Sequence, residues 1–325
     1  MKRIVFAIVC SAFFAACSSA PKRAMLVRDT AVAASNYFEA ANNELAAGDI
    51  ENAGQNLQKA YLLATSVDET DLLCRISLSA MIYRLSVATA DVSAFSVRSA
   101  NHEVPFAGLS SEMLLERARE FAKRTERTDL LLQICHVYEQ KNVVSKNHNT
   151  ADFSKAIQVL NQVEGSLSKE AYYLAFLHRT RGDVYEMLGN FSEADRNYQL
   201  AADLHVKNRY LYEIGIDWYS SARVRSKAGN KQGAVEALEM ALKYDRDAEN
   251  TPAIASDYFA IARILAKGNP DKNELSRAIR AAKWAASIYE AGYFTSQAQE
   301  ARAFAAELEG AGQNAEDVLL PEEEK

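Results

Sequence analysis

The sequence predicts an all-α fold, a superhelical solenoid of about six stacked helix pairs closed by a capping helix. Three observations carry that expectation. The composition favours helix: the 325 residues are rich in Ala, Leu and charged side chains, with 13 Gly and 5 Pro. No stretch alternates strand-like residues between turn signals. Small residues recur at repeat-like intervals, with Ala156, Ala194, Ala234 and Ala278 following one another at 38, 40 and 44 residues.

The first pair spans residues 30–66, where Gly48-Asp49 marks one helix end and the next start. Ala41, Ala53 and Ala60 are its small packing residues. The second pair is irregular. A helix over 71–90 carries Ile76, Ala80 and Tyr83, and another over 110–125 carries Leu114, Ala118 and Ala122. The insertion between them, 91–109, is long for a helix–helix connection. The third pair starts at Thr128, with Ile134, Cys135 and Tyr138 on one helix and Ala156, Leu160 and Val163 on the other. The fourth opens at Ser168, a fitting cap residue, and continues through Gly182, Tyr185, Ala194, Tyr198 and Ala201. The fifth, 209–244, has Trp218, Ala222, a Gly229 turn, Ala234 and Ala241. The sixth, 251–289, has Tyr258, Ala262 and Leu265, a turn at Gly268-Asn-Pro-Asp, then Ala278, Ala282 and Ala285. Residues 294–308 read as a capping helix with a charged outer face, which the end of a stack needs. Residues 310–325, with Glu322 to Glu324, read as a disordered acidic tail.

Small and bulky residues at these spacings resemble the tetratricopeptide repeat (TPR). In repeat positions Gly182 is 8, Tyr185 is 11, Ala194 is 20, Tyr198 is 24 and Ala201 is 27. His178 stands where the repeat expects Trp, and Val206 where it expects Pro. The resemblance implies a concave groove lined by the first helix of each pair. Carried over by position, it nominates Arg179, Tyr219, Arg223, Lys227, Phe259, Arg263 and Lys267 as groove residues toward the carboxyl-terminal half. The opposing possibility is that these cations pair with Asp183, Glu186, Asp217 and Asp257 and only solvate the groove.

The amino terminus carries a different signal. Lys2 and Arg3 precede an apolar run, Ile4 to Ala16, too short for an ordinary spanning helix. Phe14-Ala15-Ala16-Cys17 resembles the lipobox of bacterial lipoproteins. That resemblance implies a signal peptide over 1–16, a lipidated Cys17 with a linker to residue 27, and a solenoid over 28–309. Multiple acyl chains, palmitate among them, would anchor the chain firmly, as one chain alone would not. Ser18 after the cysteine implies the outer membrane, with the solenoid in the periplasm. Cleavage removes two cations and no acid, taking the formal net charge from −6 to −8. An acidic domain suits neither nucleic acid nor an anionic lipid surface, so the lipid itself must make the membrane contact. Cys74 and Cys135 remain, and we expect two small buried residues, not a disulfide.

Catalytic signatures are absent: no HExxH, no GxSxG and no GxxxxGK[ST] occurs. The five histidines, 102, 136, 148, 178 and 205, have no ligand-like spacing. We therefore expect no enzyme activity, cofactor or metal. The reading is an interaction scaffold of the cell envelope that takes a protein or peptide with acidic groups into its groove. The alternative is an accessory of an envelope solute-transport, outer-membrane assembly or pilus assembly system.

Overall fold

A computed structural model describes residues 28–89, 106, 108–146 and 149–319, with side chains described up to residue 310 except that of Thr89. The expected signal segment, Cys17, His102, His148 and nearly all of the 91–109 insertion lie outside the described residues. Thirteen α-helices and no strand are found among the described residues. They are α1 (Asp29–Ala47), α2 (Ile50–Ser66), α3 (Thr70–Thr89), α4 (Ser111–Ala122), α5 (Thr128–Ser145), α6 (Thr150–Val163), α7 (Ala171–Met187), α8 (Phe191–Asn208), α9 (Leu211–Lys227), α10 (Lys231–Asp247), α11 (Thr251–Leu265), α12 (Lys272–Ala291) and α13 (Thr295–Leu319). Each packs on the next in chain order, so the protein is an all-α solenoid of six pairs plus α13.

Local chemistry sets the boundaries. Gly48, Gly189, Gly229 and Gly268 all have positive φ, which lets the chain reverse after α1, α7, α9 and α11. Asn190 and Asn230 then cap α8 and α10, their side-chain oxygens accepting from the Glu193 and Gly233 amides. Asp271 and Glu274 form a reciprocal capping box on α12. Two boundaries differ from the sequence reading. Ser168 does not cap α7. A 3-10 turn, Glu164–Leu167, intervenes, and α7 starts only at Ala171. Past Gly310, α13 continues to Leu319 instead of ending with the solenoid.

The small residues do what their spacing implies. Ala53, Ala194, Ala234 and Ala278 are completely buried, as are Ala60, Ala201, Ala241 and Ala285. Gly182 lets α7 sit directly on Tyr198 of α8; a Cβ there would come within 2.7 Å of the phenol ring. Cys74 on α3 and Cys135 on α5 are buried free thiols.

One apolar cluster runs from α1 to α7, and another joins α9 to α13. Between them Ala194, Tyr198 and Val224 make a small apolar contact, and beside it lies a buried polar one. His205, Arg179, Glu213 and Asp217 meet there, with Asp217 fully buried. The superhelix also curls tightly enough for α1 to touch α9 across its concave side. That contact divides the inner face in two.

Candidate binding groove

Six of the seven nominated residues converge on one cavity of about 790 Å³: Tyr219, Arg223, Lys227, Phe259, Arg263 and Lys267. Helix α9 supplies Tyr219, Arg223 and Lys227 and helix α11 supplies Phe259 and Arg263, at one-turn intervals that place them on a common face, and Lys267 follows in the turn after α11. The opposite wall is α13, with Glu300, Phe304, Glu307 and Leu308. The expected capping helix thus also closes the groove. Phe304 meets Phe259 edge to face at 5.6 Å between ring centroids. This role was not legible beforehand, because an amphipathic terminal helix does not reveal what it faces.

The cations divide into two kinds. Arg223 places Nε 2.9 Å from Glu186 Oε1 and Nη2 2.7 Å from Glu186 Oε2, and Lys227 donates to Glu186 at 2.7 Å. Burial pushes the Glu186 carboxyl up, but the hydrogen bonds from Arg223 and Lys227 outweigh it, bringing the pKa to about 2. Tyr198 Oη lies 2.8 Å from Asp183 and 2.9 Å from Glu186, so burial and two neighbouring carboxylates push its pKa up. Arg263 and Lys267 are different. Both are exposed, and neither has a carboxylate within 4.0 Å among the described residues. Arg263 instead stacks over Phe259, 5.7 Å from its centroid.

Arg179, the seventh nominated residue, does not join this cavity. It is buried between α7 and α9. Its Nε donates to Asp217 at 2.6 Å, and its other nitrogens reach the Glu213 carboxylate and carbonyl. Burial raises the Glu213 carboxyl, and the Arg179 charge more than reverses it. The other face of Asp217 holds His205, with Nδ1 at 2.6 Å. Repeat position 5 faces outward in an open groove. Here α7 is covered by α9, and position 5 becomes interior.

On the other side of the α1–α9 contact lies a central cavity of about 870 Å³. Phe38, Arg75, Tyr138, Tyr172, Tyr173 and Tyr210 are among its walls. Tyr172 meets Tyr173 and Tyr210 edge to face at 5.4 and 5.3 Å. Burial pushes the Tyr138, Tyr172 and Tyr173 phenols up, so they stay neutral donors. These residues scatter over five pairs, and their convergence depends on the curl of the stack.

A third feature escaped the sequence reading. Asp245 of α10 and Asp257 of α11 face each other in a pocket of about 190 Å³ beside Gly215 and Ala46. Burial raises both carboxyl pKa values, and the Asp245 charge raises Asp257 further. Among the described residues no cluster of three or more His, Cys, Asp or Glu could hold a metal. No described helix is long and apolar enough to cross a membrane.

No protein-family model matches this chain, and no curated protein matches it. Among solved structures, it is similar to aspartyl phosphate phosphatase F from Bacillus subtilis, at 12% identity and a TM-score of 0.46. The match covers 86% of this chain and 71% of that one.

Proposed function

We propose that this protein is a membrane-anchored TPR-like lipoprotein of the bacterial envelope. It acts as an interaction scaffold, gripping an acidic segment of a partner protein between α9, α11 and α13. The observation that carries the reading is the pair Arg263 and Lys267, two exposed cations beside Phe259 in a cavity of about 790 Å³, with no carboxylate partner among the described residues. A guanidinium stacked on an aromatic ring keeps its donors free for a carboxylate at low entropic cost. Arg223 and Lys227 form the charged floor and are already paired with Glu186. Cys17 would hold the chain at the membrane, in keeping with the lipobox-like Phe14-Ala15-Ala16-Cys17.

The test is Arg263→Glu with Lys267→Glu in the full chain. Capture of envelope partners after mild solubilisation should be lost while the circular dichroism and melting temperature hold. Capture that survives the double charge reversal refutes the groove reading. Independently, Cys17→Ser should abolish labelling by a fatty-acid probe and release the chain from membranes; unchanged labelling refutes the anchor.

A second reading, a solute-transport accessory, is favoured by the tyrosine-lined central cavity of about 870 Å³. Native mass spectrometry of protein purified from its own envelope tests it. A small molecule retained by the parent and lost in Tyr172→Ala supports that reading, and a bare protein counts against it.

A further inference from the structure

The pocket around Asp245 and Asp257 is built to accept hydrogen bonds. Asp245 is 3%, Asp257 1% and Asn250 4% exposed, so all three are shut off from bulk water. Asn250 Oδ1 has no hydrogen-bond partner among the described residues, and Asp257 Oδ2 has none except through a proton shared with Asp245. Asn250 Nδ2 faces Asp245 Oδ1 at 3.4 Å, which leaves the Asn250 carbonyl oxygen unengaged. An orphan acceptor at such depth is costly, by roughly 1–3 kcal/mol. The Asn250 oxygen calls for a donor from outside the described chain, and the two facing carboxyls call for a proton or a cation between them.

The shape supports this. The Asp245 carboxylate lies so close to α9 that a Cβ on Gly215 would stand 2.4 Å from its oxygen. The pocket, about 190 Å³, also has Ala46, Ile216 and Ala253 on its walls. Tyr219, Arg223 and Ser256 belong both to this pocket and to the larger cavity, so the two adjoin. A water molecule needs about 30 Å³ of liquid volume, so the pocket has room for a group of several heavy atoms. The chemistry demanded is a donor-only head of positive charge on an apolar stem. An alkylammonium has three donors and no acceptor, and its methylenes match the alanine and isoleucine walls.

We propose that this side pocket binds a primary ammonium group, held by Asp245, Asp257 and the Asn250 carbonyl oxygen. The group can come from a free alkylamine or from a lysine side chain of a bound segment. The charged and titratable groups facing the pair are Arg223 and Tyr219 from α9, Arg246 from α10 and Tyr289 from α12. Arg223 is engaged by Glu186, and the Arg246 guanidinium lies over the Tyr258 ring. An ammonium entering the pocket replaces the proton that the crowded pair retains, so one positive charge enters and one proton leaves.

The experiment is calorimetry with butylammonium chloride on the full chain near neutral pH, with butanol as the uncharged control. Butylammonium should bind and butanol should not, and the heat should vary with the ionisation enthalpy of the buffer, which reports the released proton. Asp257→Asn, of the same shape, should weaken binding at least tenfold. Asn250→Ala is the second variant, should the first fail to fold. A lysine-bearing peptide and its acetyl-lysine counterpart identify the source. Binding only by the lysine peptide assigns the site to a partner, and binding only by butylammonium assigns it to a free amine. Either supports the proposal. No binding by butylammonium or the lysine peptide at millimolar concentration overturns it, as does equal competition by sodium or calcium. The site does not depend on the groove reading, since Arg263→Glu with Lys267→Glu should leave butylammonium binding unchanged.

Discussion

Replacing Glu186 with Gln should make the stability of this protein less dependent on acid. Glu186 is 8% exposed and is held by Arg223, Lys227 and the Tyr198 hydroxyl. Its pKa falls from an ordinary 4.5 to about 2, a displacement of about 2.5 on the pH scale, which at 1.36 kcal/mol for each step is about 3 kcal/mol. Arg223 and Lys227 are 41% and 51% exposed, and solvent screens their contribution, so about 2 kcal/mol is the working figure. The folded pKa is depressed. The stabilisation is therefore complete above pH 4.5 and is lost as the pH falls toward 2. Urea unfolding followed by circular dichroism checks it. Near neutrality Glu186→Gln should be less stable than the parent by about 2 kcal/mol, and the gap should close at the acid end, where the parent glutamate is itself neutral. A gap of the same size at both ends would refute the reasoning, because it would mean that Gln disturbs packing and the charge contributes nothing.

Two further outcomes follow from the buried charges. Arg179→Met leaves Glu213 and Asp217 buried without their cation and should cost about 3–5 kcal/mol, read as a lower melting temperature. A variant that keeps its melting temperature but loses partner capture would return Arg179 to the groove. Asp257→Asn acts in the opposite sense to Glu186→Gln. Burial and Asp245 raise the Asp257 pKa above its ordinary 3.8, so the fold retains a proton that the unfolded chain gives up, and stability falls as pH rises. The variant should gain on the parent by ~1–3 kcal/mol between mildly acid and mildly alkaline pH, measured by the same unfolding experiment.

The repeat was legible because close helix packing leaves little choice of residue. Gly182 against Tyr198 and the buried alanines of successive second helices are steric necessities, and steric necessity shows as spacing. The groove residues on α9 and α11 were legible for the same reason, since one-turn intervals fix a common face. What could not be read depends on how the stack curls. Arg179 occupies the same repeat position as Tyr219 and Phe259, yet α9 covers it. Asp257 stood in the sequence only as a partner for the groove cations and Asp245 not at all, because their meeting requires the rotational setting of α10 against α11. Ser168 has the chemistry of a cap, but the 3-10 turn before it moves the helix start to Ala171.

The touch between α1 and α9 has a consequence for how the molecule comes apart. In an open array each unit feels only its neighbours, and the ends can peel away one by one. Here the opening helix leans on the fifth pair, a contact between segments far apart along the chain. Melting of the first hairpin therefore also strips a wall from the middle of the stack. Hydrogen exchange should find α1 and α9 losing protection together, like a ring that springs when its clasp is undone.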